Sequence, residues 1–420
     1  MKLVVLCCLL PFAVLAAELP EPVFPAGVGV NIHFVRGHEA DLDMINVAGF
    51  KWVRMDFAWS GTESKPGEYN WSAYDELTAN LEKRGLRAIY ILDYSNPLYE
   101  AGVTNRNPFT QQEQRGIASP QHPESIAAFA RWAAAAATHF HGREIIWEIW
   151  NDPNISFWKP KPSARQYTEL ALATSKAIRA ADPKALIIGP ACSGFDWKFL
   201  NRFLGSGILN YLDAVSVHPY RDAATPPETV AADYQKLRAL IAKYAIDEKK
   251  QKLPIISGEW GYSSKAGSLS PEIQAAFIAR QQLVNALNDI PISIWYDWQN
   301  DGPNPNENEH NFGIITHDGH PKPAYLSIRI LTQQLAGCRI LRRFDLVEND
   351  YVLLCVDSSG GFKLAAWTTE TPHAVTIDLP YKTVHRFGGI GGDGERYQPK
   401  LENGRMTIEL APLPKYITIR

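Results

Sequence analysis

The sequence predicts an α/β chain: a (β/α)8 TIM barrel followed by a small C-terminal antiparallel β-sandwich. Three observations carry that expectation. The chain has 420 residues, too many for one ordinary domain but suited to a barrel of roughly 250–300 residues plus one module. Short apolar runs alternate with longer segments of helical periodicity, as a parallel barrel requires. After Leu335 the alternation gives way to short strands set off by Gly, Asn and Pro turns.

In chain order, the expected barrel strands are Gly29–Phe34, Trp52–Asp56, Arg87–Asp93, Ile145–Trp150, Leu186–Gly189, Ala214–Val217, Pro254–Gly258 and Ile292–Asp297. Helical spacing falls between them, at Glu39–Val47, Tyr74–Arg84, Pro123–His139, Ala164–Ala181, Phe195–Phe203, Pro227–Tyr244, Pro271–Asn288 and Lys322–Leu335. The Ala-rich run Arg131–Thr138 is the strongest helix former among them. A doubly wound open sheet is the alternative, but no Gly-rich phosphate loop follows the first strand. The trailing strands are expected at Val352–Val356, Phe362–Trp367, Ala374–Leu379 and Met406–Leu410. Gly388–Gly394, GGIGGDG, resembles a nucleotide loop but no helix follows it, so it reads as a flexible loop between strands.

Domain boundaries follow: a signal segment over 1–17, the barrel over 18–336 and the sandwich over 337–420. Met1-Lys2 opens the signal with positive charge. Leu3–Ala16 is apolar but shorter than the ~20 residues a membrane span needs, and Ala13, Ala16 and Ala17 offer small residues for cleavage. A secreted or periplasmic protein with no stable membrane anchor is therefore expected. The formal net charge is −3 with no block of like charges, which gives no purchase to nucleic acid or an anionic membrane. Removing the signal leaves Cys192, Cys338 and Cys355, an odd count that is no disulfide framework. Three buried thiols are expected, with one Cys338–Cys355 bridge as the alternative. No CxxC or HExxH spacing appears, so neither a metal site nor a cofactor is expected.

Barrel chemistry gathers at the C-terminal ends of the strands. There the sequence places Asn31 and His33, then Arg54 and Asp56, Asp93-Tyr94, Asn151-Asp152, His218-Pro219-Tyr220 and Gly258-Glu259-Trp260. The last strand carries Trp295, Asp297 and Trp298, followed by Asn300-Asp301. Carboxylates, amides, imidazoles and indoles dominate, with almost no lysine. Flat aromatic faces and paired donors and acceptors suit a sugar ring. Acids ending strands 4 and 7 face each other across the barrel mouth, and glycoside hydrolysis needs two such carboxyls.

WNDPN at 150–154 resembles the WNEPN signature of the clan A retaining glycoside hydrolases. Glu259 in PIISGEWGY is similar to their strand-7 nucleophile, and HPY at 218–220 to a common strand-6 ending. WEIWNDPN with GEWGY looks most like glycoside hydrolase family 39, with family 5-like enzymes second. YDWQNDG at 296–302 and EHNFGII at 309–315 extend the likeness over about residues 27–335. The resemblance implies Glu259 as nucleophile, Asp152 as acid/base and Asn151 as partner of the sugar 2-hydroxyl. It implies that Arg54 and His218 orient Glu259, that Tyr220 bonds near the carboxylates, and that Trp295 floors the −1 subsite. His33, Asp93, Trp158, Asp297 and Trp298 would be further sugar contacts. An oligosaccharide or polysaccharide would be the substrate, cleaved at β-linked bonds in a β-xylosidase-like or endo-β-glycanase-like manner.

The residues admit blander roles. Asp152-Pro153 could only start a turn, and Glu259 could be a barrel ion-pair acid. Glu148, two residues inside its strand, is expected to pair with an Arg or Lys in the barrel wall. Trp52, Trp132 and Trp147 are expected in the core. The family pattern has Glu where this chain has Asp152, one methylene less. Either the backbone compensates and retention survives, or the wider gap admits water and inverts, or activity is weak. A barrel that binds carbohydrate without cleaving it is the alternative of a different class. Repulsion from Glu259, with partial burial, should raise the Asp152 pKa. Asn70 and Asn154 fit the N-glycosylation pattern, and a glycan on Asn154 would block the site, which favours a bacterial origin.

Overall fold

The computed structural model describes residues 18–106, 113–379 and 387–419; the expected signal segment, 1–17, lies outside the described residues. Eight parallel strands close into a barrel: β1 Val28–Asn31, β2 Trp52–Ala58, β3 Arg87–Asp93, β4 Ile146–Ile149, β5 Leu186–Ser193, β6 Ala214–His218, β7 Ile255–Trp260 and β8 Ser293–Trp295. They neighbour one another in chain order, and β8 pairs with β1. The outer helices are α1 Glu39–Val47, α2 Ser72–Glu82, α3 Pro123–His139, α4 Ala164–Ala181, α5 Trp197–Leu204, α6 Ala231–Tyr244, α7 Pro271–Leu287 and α8 Pro323–Gln334. Local chemistry starts several of them. Pro occupies the first turn of α3, α7 and α8, where its missing N–H costs nothing. Ser163, Asp196 and Ser270 accept the free amides of α4, α5 and α7.

Strand alternation decides what fills the barrel. Trp52, Ile89, Ile146, Ile188, Ala214, Ile256 and Ile294 form a closed apolar cluster at its lower end. Two residues further along β2, β4, β6 and β7 stand Arg54, Glu148, Ser216 and Gly258. The same period therefore carries the interior from hydrocarbon to polar chemistry within one layer.

Past α8 lie β9 Cys338–Arg343, β10 Asp350–Asp357, β11 Phe362–Thr368, β12 His373–Asp378, β13 Phe387–Gly391, β14 Arg396–Tyr397, β15 Lys400–Glu402, β16 Arg405–Leu410 and β17 Lys415–Ile419. A six-stranded sheet, β9-β10-β11-β17-β13-β14, faces a three-stranded one, β12-β16-β15, around Val352, Leu364, Ile377, Met406 and Ile417. GGIGGDG is corrected here: its first half is strand β13, paired with β14 and β17. Glycine is needed there because a Cβ on Gly389 would stand 3.0 Å from the Tyr416 carbonyl oxygen. Cys192, Cys338 and Cys355 are free and buried, so the bridge alternative falls.

The sandwich is fused to the barrel. The backbone of Phe24, before β1, exchanges two 2.8 Å hydrogen bonds with Gly337 and Cys338 at the start of β9. Glu228, after β6, accepts two 2.7 Å bonds from Arg280 of α7 and another of 2.7 Å from the Trp367 indole of β11. Leu353, Ala365, Trp367 and Tyr416 belong to the same continuous core as the barrel helices. No helix among the described residues is long and apolar enough to cross a membrane.

Candidate active site

Arg54 is the hub of the barrel mouth. It is fully buried, and Nε donates to Glu148 Oε2 at 2.6 Å while Nη1 donates to Glu259 Oε2 at 2.7 Å. Nη2 donates to Asn151 Oδ1 at 2.9 Å and to His218 Nε2 at 3.2 Å. The two carboxylates and their hydrogen bonds outweigh the cost of burial and push the guanidinium pKa up. Glu148 is thus the wall residue the sequence suggested, with Arg54 as its partner.

Glu259 ends β7 after a register shift between Ser257 and Trp260. Such a shift interrupts the alternation and re-aims the side chain. Its Oε1 accepts from Tyr220 Oη at 2.7 Å, so each oxygen has one fixed donor. Gly258 precedes it because a Cβ there would lie 3.1 Å from Glu148 Oε1 and 3.4 Å from His218 Nε2.

Asp152 stands on a sharply turned backbone. Trp150 and Asp152 have φ of 67° and 46°, in the left-handed region that costs L residues on the order of 1 kcal/mol or more. The Asp152 amide donates to the Ala191 carbonyl at 3.0 Å, pinning the turn to β5. Its Oδ1 lies 2.7 Å from His218 Nδ1. The tautomer follows from the partners: Arg54 can only donate, so His218 Nε2 must accept, and the ring proton sits on Nδ1 and points at Asp152. Burial lowers His218 to about 4, which keeps it neutral.

Burial raises the Asp152 carboxyl to about 7; Arg54 opposes that shift and Glu148 adds to it. This corrects the expected source of repulsion. The like charge that acts on Asp152 is Glu148 rather than Glu259. Asp152, His218 and Glu259 each bring a donor atom within 4.8 Å of the others. Since His218 Nδ1 carries a proton, this trio is a hydrogen-bonded acid site rather than a ligand set.

These groups open into a cavity of about 440 Å³ lined by Asn31, His33, Arg54, Asp56, Asn151, Asp152, Tyr220 and Glu259. Tyr94, Phe157, Tyr296, Asn308, Glu309 and Phe312 complete its wall. A second cavity of about 230 Å³ shares Asn31 and His33 and adds Asp297, Trp298 and Asp301. His33 Nδ1 lies 3.3 Å from Asp301 and 3.8 Å from Asp297, and these three have the donor types and spacing of a small cation site.

The structure therefore brings together Asn151, Asp152, Glu259, Arg54, His218, Tyr220 and His33, with Asp297 and Trp298 in the adjoining cavity. Three expected contacts stand elsewhere. Trp158 is fully buried against Trp150, 5.1 Å between ring centroids, and its neighbour Phe157 takes the cavity wall. Trp295 is fully buried in β8, and Tyr296 faces the cavity. Asp93 is fully buried, with its pKa raised well above the usual carboxylate range by burial and by Asp56; Asp56 and Tyr94 reach the cavity. Phe157, Tyr296, Asn308, Glu309 and Phe312 are additions, and the last two lie in the EHNFGII stretch already singled out.

Residues 25–302 match the family Cellulase (glycosyl hydrolase family 5). The chain belongs to that family. A β-xylosidase of Geobacillus stearothermophilus is 26% identical over 330 residues, 70% of this chain and 61% of the relative. One from Caldicellulosiruptor saccharolyticus is 25% identical over 255 residues, 54% of this chain and 51% of the relative. The chain thus spans less than two thirds of the length of either curated relative. In fold it is similar to a family 39 glycoside hydrolase of Bacteroides cellulosilyticus WH2, with TM-score 0.79 and 24% identity over 96% of this chain and 82% of that one. A monomeric β-xylosidase of Caulobacter crescentus CB15 superposes with TM-score 0.70 at 16% identity, over 96% of this chain and 98% of that one.

Proposed function

We propose that this chain is an exported, retaining glycoside hydrolase acting on β-linked glycosidic bonds of an oligo- or polysaccharide, in the manner of the β-xylosidases it resembles. The observation that carries the mechanism is a distance. An oxygen of Asp152 and an oxygen of Glu259 come within 4.8 Å of each other, which favours retention, at about 5–5.5 Å between carboxyls, over inversion, at about 6.5–9.5 Å.

The roles follow from the bonding. Glu259, oriented by Arg54 and Tyr220, attacks the anomeric carbon as the bond to the leaving oxygen breaks. Asp152 gives that oxygen its proton. Oδ1 already accepts from His218, so the transferable proton sits on Oδ2. In the second step the Asp152 carboxylate takes a proton from water, and the hydroxide formed displaces Glu259. A carboxyl titrating near 7 can serve in both directions at neutral pH.

A 2-fluoro-glycoside tests the reading. A covalent adduct on Glu259 and a first-formed anomer that keeps its configuration are expected. An inverted anomer sinks the retaining assignment, while tight binding without adduct or turnover favours a carbohydrate-binding barrel. Asp152→Glu should be at least as active, with the largest gain on poor leaving groups. Export is tested by amino-terminal sequencing of the protein recovered outside the cytoplasm, with Glu18 as the expected first residue. Glycosylation at Asn154 is disfavoured, because its side-chain amide bonds Ser193 at both ends, 2.8 and 2.9 Å.

A further inference from the structure

The two joined cavities hold carboxyls from several directions and one cation. Asp56 and Glu309 line the first, besides Asp152 and Glu259; Asp297 and Asp301 line the second. Arg54 is the only arginine or lysine lining either cavity among the described residues. It is buried and already serves Glu148, Glu259, Asn151 and His218. Lys322 has its Nζ bonded to the Gly313 carbonyl at 2.6 Å and to Ser264 at 3.0 Å, and lines neither cavity. A ligand carboxylate entering here would meet Asp56, Glu309 and Asp301 and find no arginine or lysine free to pair with it, His33, His38 and His317 being the other basic side chains of the lining.

Glu309 is the acid best placed to act on the sugar without joining the chemistry. It sits on the short 3-10 turn Glu309–Asn311 in the loop after β8. Tyr296 Oη donates to its Oε2 at 3.2 Å and Asn308 Nδ2 approaches Oε1 at 3.4 Å. Both oxygens keep lone pairs for ligand hydroxyls, and neither faces a cation. Asp297 behind it is 2% exposed, and its Oδ1 has no partner.

We propose that Glu309 is a specificity-determining residue, and that the acid wall it leads selects neutral sugars and excludes sugars carrying a carboxylate. The proposal rests on the glycosidase reading and names the substrate class of that site. The physical cause is Coulombic. At an effective dielectric of about 20, two like charges about 8 Å apart disfavour binding by roughly 30-fold, and solvent at the cavity mouth reduces this. Hydroxyls, by contrast, donate to the same carboxylates.

The test uses the full chain and a matched pair of substrates, a 4-nitrophenyl β-glucoside and the corresponding β-glucuronide, with a β-xyloside as reference. The wild type is expected to turn over the neutral partner and to prefer it in kcat/KM by several-fold, up to on the order of 30-fold. Glu309→Gln should lower kcat/KM on the neutral sugar, by loss of a hydroxyl acceptor, and at the same time shrink the neutral-over-acidic preference by several-fold. Raising salt to about 0.5 M should shrink it in the wild type more than in the variant, because screening acts on the charge that the variant lacks. Equal rates for the pair overturn the proposal, as does inertness of both beside a cleaved xyloside. A preference unmoved by Glu309→Gln removes this residue from the selection. If no glycoside is turned over, the function reading fails instead. Titration calorimetry with glucose and glucuronate then reads the selection directly, and equal affinities overturn it.

Discussion

At the lower end of the barrel, Trp52, Ile146, Ala214 and Ile256 fill the interior with hydrocarbon. Two residues along the same strands, Arg54, Glu148 and Ser216 replace them, with Gly258 leaving room. Both layers are closed to water, yet they work by opposite rules. The lower layer needs only volume and fit. The upper layer must partner every charge, and one of its oxygens, Glu148 Oε1, has no hydrogen-bond partner. Burial among these packed groups is the largest influence raising Asp152 and lowering His218.

The comparison breaks most sharply at Glu259. With Glu259 as the proposed nucleophile, Glu259→Gln should keep the fold and cut kcat by on the order of 10⁵-fold. A variant of near-normal rate would remove the upper layer from the chemistry.

Asp152→Asn comes next. It should lose on the order of 10² to 10⁴-fold in rate on poor leaving groups and less on activated aryl glycosides. In the wild type, kcat/KM should fall as pH rises through about 7, when the acid form is lost. Stability carries the same signature with a definite sign. The folded-state pKa lies above the unfolded value, so the folded chain holds this proton longer. Stability from it is full below about pH 4 and is lost as pH rises through about 7. The Asn variant escapes that loss. Its advantage in denaturant unfolding should grow to roughly 4 kcal/mol above neutral pH. A constant difference across pH would show that Asp152 does not titrate as described.

The remaining pair of variants contrasts the layers directly. Arg54→Met should destabilise by about 3–5 kcal/mol, because Glu148 and Glu259 are left facing each other without a cation, and activity should collapse with it. Ile188→Ala, in the lower layer, should cost about 2–5 kcal/mol through a cavity and leave kcat/KM nearly unchanged. If the two changes affect rate equally, the layers are not separable.

Most of the barrel was legible because its strands are apolar on both faces and stand between capped helices. β3, α1, α3 and α4 begin and end where the pattern places them. The sandwich was harder. β9, CRILRR, is an edge strand with mostly open side chains, so it shows no alternation of the sort the sequence reading relies on. β13 is too rich in glycine to look like a strand. In the site, Asp152, Glu259, Arg54 and His218 were legible because strand ends place them. Phe157 and Trp158 were not separable. They are adjacent in a loop, and only packing against Trp150 and Tyr167 decides which indole or phenyl turns inward. Between β3 and α3, Gly102–Arg106 pairs antiparallel with Glu113–Ile117, in an alternation too polar to announce either strand.

The joint at Glu228 has a consequence for how the protein can be divided. Arg280 and the Trp367 indole share one buried carboxylate, and the hydrocarbon around them runs unbroken from α7 into β11. A cut after Leu335 would not release two tidy pieces. It would strip the carboxylate of one donor and open an apolar face on each fragment. Heat or denaturant should therefore melt the whole chain in a single transition, and a barrel cut free of its sandwich should be the less stable protein.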